Sequence, residues 1–475
     1  MSFCVMAFDL KIEKLKKPAM PALDLNFITQ TLGLPPIAVN AAVGKITTDS
    51  RIATAGDVFV ALAGEKHDGH DFVPQVLQQG AYALVSRADC AHLEGCLNVA
   101  DTLAALQTLA QAWRLRINPQ VFGITGSSGK TTVKEMLAAV LRQHAGDDAV
   151  LATAGNFNNH IGLPLTLLQL KPQHRFAVIE MGMNHFGELA LLTRLARPDW
   201  ALVNNALRAH VGCGFDGVAD IARAKSEIYQ GLPENGIGFI PCEDAEAAVF
   251  QAALQGKQQR TFGVSSGDVY ASDIELKPLG VDFVLHAAGV AQPVQLPVPG
   301  RHNVHNAVAA AALALAAEVP GDTIAQALAG FANIKGRLQQ KRSAAGALLI
   351  DDSYNANPDS FKAAIDVLAA QPAPRVLVMG AIGELGADAP QLHAEVGAYA
   401  RARGIEHALF TGADARFAAE AYGQPQAFFE QKDALAAAAQ ALDQAQASFL
   451  VKGSRFMQME TVVAALQSAP DISKA

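Results

Sequence analysis

Cysteine is sparse and scattered in this 475-residue chain: Cys4, Cys90, Cys96, Cys213 and Cys242 form no CxxC pair and no metal-finger spacing. An odd, dispersed set excludes a disulfide framework and fits reduced thiols. No stripe of lysine and arginine relieves a net charge of −8, so nucleic acid is not expected as a partner. The longest apolar run, AVAAAALALAA from Ala307, is too short and too rich in alanine to span a bilayer. The opening MSFCVMAFDLKIEKLKKPAM lacks the basic, apolar and cleavable segments of an export signal. Residues 1–19 read as a possible disordered extension. No repeat of solenoid period occurs. These absences leave the expectation of a cytoplasmic protein, taken as a monomer.

What is present describes a globular chain: 51% hydrophobic and 17% charged residues, long enough for several domains. Residues 20–97 carry short alternating strands such as DVFVAL and AYALVS between polar loops. Residues 98–334 alternate strand-like runs (VFGIT, FAVIEMG, WALVNN) with helical segments, the pattern of a parallel sheet covered by helices. Residues 335–475 begin a second such series with ALLIDDS, RVLVMG, HALFTG and SFLVKGS. The fold class is therefore α/β in three domains, with Pro297, Pro299 and Gly300 marking a turn and NIKGR the second boundary.

The stretch GITGSSGKTT, residues 123–132, lies between an apolar strand and the helical TTVKEMLAAVL. Backbone N–H groups of Gly126, Ser127, Ser128 and Gly129 and the helix N-terminus at Thr131 and Thr132 can surround phosphate oxygens. Lys130 brings a mobile charge to the β- and γ-phosphates, and the Thr131 hydroxyl can reach Mg²⁺. The spacing departs from the usual phosphate-loop pattern, which would put glycine at Ile124.

Further polar groups stand at strand ends, where open α/β sheets bind ligands. Glu180 in VIEMGMNH suits a hard cation, or is a solvated strand-end glutamate. His210 follows another strand and is a metal ligand or a structural histidine. Asn303 and Asn306 lie one helical turn apart, placed to read an adenine edge or, for Asn303, to cap a helix. Lys225 in ARAKSEI is by default a surface charge. Arg337 beside a glycine could close on phosphate, and DDSYNANPDS, with Asp352, Tyr354 and Asn357, is unusually dense in hydrogen-bonding groups.

Taken in order, TTDSR, GEKHDGHDF, GITGSSGKTT, GNFNNHIGLP, EMG, AKSEI, GRHNVHNA, DDSYNANPDS and LVKGSR resemble the Mur ligases, ATP-dependent amide-forming enzymes of bacterial cell-wall synthesis. The resemblance spans nearly the whole chain from about residue 45 to 460. It implies a small N-terminal α/β UDP-binding domain, a central phosphate-loop ATPase domain and a C-terminal Rossmann-like domain. It implies ATP held by Lys130, Thr131, Asn303, Asn306, Arg337 and Asp352, with Mg²⁺ on Glu180 and His210. Ser50 and Arg51 would meet the uridine diphosphate, and Asn158 and Asn159 the sugar-peptide. Lys225 matches a lysine that related enzymes convert to a carbamate with carbon dioxide. SYNANP points within the family to UDP-N-acetylmuramoyl-tripeptide and D-alanyl-D-alanine as substrates, with Lys452 or Arg455 as cations for the dipeptide carboxylate. The pattern departs at Ala381, where aspartate is expected, and at Ser226, where glycine is common. A folate polyglutamylating enzyme would share the loop without TTDSR or SYNANP. A nucleotide-binding switch would need no third α/β domain.

Overall fold

The apolar runs become the buried strands of three sheets in the computed structural model, which describes residues 22–467 apart from 38–39, 65–66, 210, 213 and 333. Residues 1–19 and His210 therefore lie outside the described residues. The chain divides into two compact units between Val99 and Ala100.

The first unit holds four parallel strands in spatial order β1 (Ile46–Thr47), β2 (Val58–Val60), β3 (Tyr82–Val85) and β4 (Cys96–Asn98). Here the alternating reading is corrected: Val58, Phe59 and Val60 are all buried. A parallel strand covered on both faces has no solvent side, so its residues need not alternate.

The second unit contains two sheets. The larger runs through β5 (Gln120–Thr125), β6 (Val150–Ala152), β7 (Phe176–Glu180), β8 (Trp200–Val203), β9 (Ile237–Pro241), β10 (Gln258–Phe262), β11 (Val269–Lys277), β12 (Gly280–Ala287) and β13 (Val290–Leu296). Their order is β13-β12-β11-β10-β9-β8-β5-β7-β6. Strands β5 to β10 pair in parallel, as the sequence leads one to expect. The antiparallel meander β11 to β13 is not foreseen by a purely parallel reading. Strand β12 alternates: Val281, Phe283 and Leu285 are buried while Asp282, Val284 and His286 are partly exposed. Strand β13 ends the sheet and carries Pro293 opposite Val284.

The smaller sheet has the order β14 (Gln339–Arg342), β15 (Leu348–Asp352), β19 (Ser448–Lys452), β16 (Arg375–Gly380), β17 (His407–Thr411) and β18 (Phe428–Phe429). All but β14 pair in parallel. The register sets Asp352 opposite Lys452 at the carboxyl ends of β15 and β19.

The helix Lys130–Ala145 packs against Arg301–Ala316, in which Val304 and every residue from Asn306 to Ala314 are buried. Alanine side chains keep this second helix slender, so it packs closely against its neighbour in the core. Phe122 of β5 stacks on Trp200 of β8 at 4.7 Å. Burying one such ring stabilises by about 1.5–3 kcal/mol. This packing fixes the carboxyl edge of β5, from which the phosphate loop springs. No helix among the described residues is long and apolar enough to cross a membrane.

Candidate nucleotide site

The turn from β5 into the helix Lys130–Ala145 is shaped by what lies beneath it. Gly129 has φ of 80° and is the residue before the helix. A Cβ there would sit 2.3 Å from Asn306 Oδ1 and 2.5 Å from Asn204 Nδ2, so any side chain would have to displace these hydrogen-bonded amides from a backbone already at positive φ. Two asparagines following β8 form the bed. Asn205 Oδ1 accepts from Ser128 N at 2.9 Å, and Asn204 Nδ2 donates to Ser128 O at 2.9 Å and to Asn306 Oδ1 at 3.0 Å. Asn306 Nδ2 donates in turn to Asn303 Oδ1 at 3.1 Å, and Asn303 Nδ2 to Pro299 O at 2.8 Å.

Asn303 and Asn306 thus share a face, as one helical turn requires. Their buried amides bond to Asn204 and Pro299, while both residues also line the cavity on the side where contact with the nucleotide is expected. Asn303 does not cap the helix, because Gly300 occupies the N-cap. His305 donates Nε2–H to Asn204 O at 2.9 Å and completes the bed.

Lys130 folds back over the loop, donating to Gly126 O at 2.5 Å and Ser127 O at 3.4 Å. Burial pushes its amine below the ordinary lysine range, and Glu180 opposes that shift. Thr131 Oγ1 donates to Glu180 Oε2 at 2.8 Å, and Asn158 Nδ2 donates to Glu180 Oε1 at 2.8 Å. Glu180 is 3% exposed, which overturns the solvated alternative. Its backbone N–H donates to Thr153 Oγ1 at 3.0 Å. Beneath it lies Lys134, 1% exposed, with Nζ 2.5 Å from Thr153 O and 4.0 Å from Glu180 Oε2. Asn158 therefore orients a carboxylate, whereas Asn159 Oδ1 accepts from Gly162 N at 2.8 Å at the start of a short helix.

The opposite wall comes from the sheet with β15 and β19. Arg337 Nη2 donates to Thr131 Oγ1 at 2.9 Å, and its guanidinium lies 4.5 Å from the centre of the Tyr354 ring. Asn357, the N-cap of helix Pro358–Ala369, accepts from Ser360 N through Oδ1 and donates from Nδ2 to Ser128 Oγ at 2.8 Å. Asp352 accepts from Leu338 N at 3.0 Å and from Lys452 Nζ at 2.5 Å. Lys452 is 3% exposed and also donates to Asn355 O at 3.0 Å. Asp352 thus pairs the cation that is expected to meet the dipeptide carboxylate, and Lys452 lines the cavity. Arg455 is exposed and paired with Glu460 at 2.8 Å.

Between these walls lies a cavity of about 600 Å³, of the size that holds a small ligand. It brings together Ser127, Ser128, Gly129, Lys130, Thr131 and Thr132 with Asn303, Asn306, Arg337, Asp352, Tyr354, Asn357 and Lys452. His302, not anticipated from the sequence, also lines it, and burial holds its ring down to about 4. Glu180 stands behind Thr131. Lys225 lies on helix Val218–Ser226 and is 2% exposed, which overturns the surface-charge default. Burial, and then the neighbouring charge of Lys130, lowers its amine well below the usual range. Ser50 and Arg51 belong to the first compact unit, where Arg51 is exposed and bonded bidentately to Asp49 at 2.8 and 2.7 Å.

The sequence reading missed Asn204, Asn205 and Lys134. The signal for the first two was there: consecutive asparagines at the carboxyl end of a strand.

Comparison with known proteins accounts for this assembly. The Mur ligase middle domain matches residues 124–314, the Mur ligase glutamate ligase domain 336–455, and the catalytic domain of the Mur ligase family 43–114. The chain is 42% identical over 453 residues to the UDP-N-acetylmuramoyl-tripeptide–D-alanyl-D-alanine ligase of Escherichia coli, covering 94% of this chain and 99% of that protein. The ligase of the same name from Haemophilus influenzae is 43% identical, over 76% of this chain and 79% of that protein. MurF from Acinetobacter baumannii superposes with a TM-score of 0.87 at 37% identity, covering 94% of this chain and 99% of that one. The MurF ligase from Thermotoga maritima in complex with ADP gives 0.79 at 25% identity, covering 89% and 97%.

Proposed function

We propose, for a chain that belongs to the Mur ligase family, the ATP-dependent addition of D-alanyl-D-alanine to UDP-N-acetylmuramoyl-tripeptide in peptidoglycan precursor synthesis, in the cytoplasm. One observation carries the mechanism. The phosphate loop and the wall around Arg337 and Asn357 face each other across one cavity, with Arg337 on Thr131 and Asn357 on Ser128.

ATP enters with its phosphates on the loop from Gly126 to Thr132. The terminal carboxylate of the tripeptide attacks the γ-phosphorus; the bond to the β-bridging oxygen breaks, giving an acyl phosphate and ADP. The dipeptide amine then attacks the acyl carbon, phosphate leaves, and the amine gives up a proton as the amide forms. Attack joins two anions, so positioning and charge neutralisation are the main demands. Lys130 exchanges its loop carbonyls for phosphate oxygens, and Arg337, braced on Tyr354, reaches the same region.

The donor chemistry fits Mg²⁺, since Thr131 and Glu180 offer hard oxygens 2.8 Å apart beside the phosphate loop. Glu180 and Thr131 would hold it, with His210 as a further ligand, and it would neutralise phosphate charge. Lys225 would act as its carbamate. That modification needs a neutral amine, which burial supplies. Ser50 and Arg51 would bind the uridine diphosphate, since a hydroxyl and a guanidinium fork suit its oxygens.

The test is phosphate release with each substrate omitted in turn, together with the mass of the product. Release should require ATP, the UDP-sugar tripeptide and the dipeptide together. Equal activity with free glutamate or diaminopimelate in place of the dipeptide would overturn the assignment.

A further inference from the structure

Arg208, on the loop that follows Asn204 and Asn205, has no part in the reaction derived above, yet it pairs with two carboxylates beside the cavity. Its backbone N–H donates to Asp359 Oδ2 at 3.1 Å, and its Nη2 to Asp359 Oδ1 at 2.5 Å. Its Nη1 donates to Glu395 Oε2 at 2.8 Å. Asp359 is in the first turn of helix Pro358–Ala369, and Glu395 is on the helix Ala389–Ala402 packed beside it. Lys362, one turn along the first helix, pairs with Glu395 as well. One arginine from the β8 side therefore grips two helices of the opposite wall.

The grip is placed where it matters. Asp359 lines the cavity two residues after Asn357, whose amide rests on Ser128 of the phosphate loop. A second set of contacts ties the same two parts together at the turn between β11 and β12: Gln371 Nε2 donates to Pro278 O at 2.7 Å and Gln340 Nε2 to Leu279 O at 3.2 Å. Those bonds are neutral, whereas the contact beside the nucleotide is ionic and partly exposed, with Arg208 and Asp359 side chains 30% and 25% accessible. An ionic contact at partial exposure is weakened by salt, and a neutral amide bond is not.

We infer that Arg208 is a positioning residue: its clasp on Asp359 and Glu395 seats the N-terminus of helix Pro358–Ala369 against the phosphate loop and slows nucleotide exchange. The inference rests on the ATP reading of the cavity. Asn357 and Asp359 line the cavity where that helix meets the loop, so parting the two widens the cavity at the phosphate end. Release is thereby coupled to the breaking of the Arg208 bonds, and the neutral contacts at the hairpin turn serve as the pivot.

The experiment follows release of a fluorescent ADP analogue from the full chain by stopped flow at low and high salt. Arg208→Met keeps the aliphatic stem, and Glu395→Gln removes one ionic arm away from the cavity. Release should quicken about fivefold in Arg208→Met, the scale of one networked ion pair, and by less in Glu395→Gln. The wild-type rate should rise with salt, and that of Arg208→Met should stay flat. The double variant should release no faster than Arg208→Met. Equal release rates and equal salt dependence in wild type and Arg208→Met would overturn the inference, even if the variant melts earlier, since that would make Arg208 a structural contact. Failure of the wild type to bind the analogue at all would instead overturn the ATP reading, and this inference with it.

Discussion

Lys134 Nζ lies 4.0 Å from Glu180 Oε2 in the interior of the second unit, one helical turn beyond the lysine that serves the phosphate loop. The two lysines divide the work. Lys130 faces the loop, while Lys134 holds the carbonyl of Thr153 and sits between Glu135 Oε1 at 2.9 Å and Glu180 Oε2 at 4.0 Å. Lys134→Met should therefore lower stability by about 3 kcal/mol, because it removes the buried cation that serves both Glu180 and the nearer Glu135. Urea unfolding checks this. Adding Glu180→Gln to the same chain should recover part of the loss, and the absence of any recovery would separate the two residues.

Gly129→Ala adds a methyl group where only 2.3 Å separates the Cβ position from Asn306 Oδ1. The left-handed backbone costs an alanine about 1–2 kcal/mol before any clash is counted. ADP affinity, measured by calorimetry, should fall about tenfold or more, with secondary structure unchanged in circular dichroism. Wild-type affinity in this variant would show that the loop does not adopt this form when it binds.

Lys130→Ala removes the point charge from the phosphate cradle. Turnover should fall at least about a hundredfold, the scale of one lost transition-state donor, while the melting temperature stays close to that of the wild type. Near-normal turnover would take Lys130 out of the mechanism.

Lys225 carries a prediction about pH and carbon dioxide. Its folded-state pKa is depressed, chiefly by burial. The folding penalty is therefore fully present below that depressed value and fades as pH rises toward the ordinary lysine value of 10.5. In carbonate-free buffer Lys225→Met should be more stable than the wild type at neutral pH, with the gain shrinking on the alkaline side. Lys225→Ala should be nearly inactive and partly restored by short carboxylates that replace the carbamate oxygens. Depleting bicarbonate should lower wild-type turnover. Normal turnover in Lys225→Ala would end the carbamate assignment.

Local features of the sequence revealed much of this. A strand, a glycine-rich turn and Lys-Thr-Thr at a helix start are consecutive, so the phosphate cradle was legible in one stretch. The strand-end positions of Glu180 and Asp352 were legible for the same reason. The bed under the cradle was not: Gly129, Asn204 and Asn306 come from three distant segments, and an amide chain between them leaves no periodic trace. Nor could burial be read for Lys134 and Lys225, since a lysine on a helix is exposed in most proteins. Lys452 looked available at a strand end, and only the register of β15 with β19 reveals that Asp352 holds it. The meander of β11 to β13 was missed because alternating strands of mixed polarity give a weaker signal than fully apolar ones.

Strand β13 closes one margin of a nine-stranded sheet, and a free margin is a template on which another chain can add a strand. Pro293 lies in the middle of it, exposed to solvent. Because proline has no N–H, a foreign strand arriving there meets a missing donor halfway along and cannot build a continuous ladder. A protein with so many buried strands must keep them from recruiting copies of itself while it is concentrated or newly made, and at this margin one imino acid provides that protection.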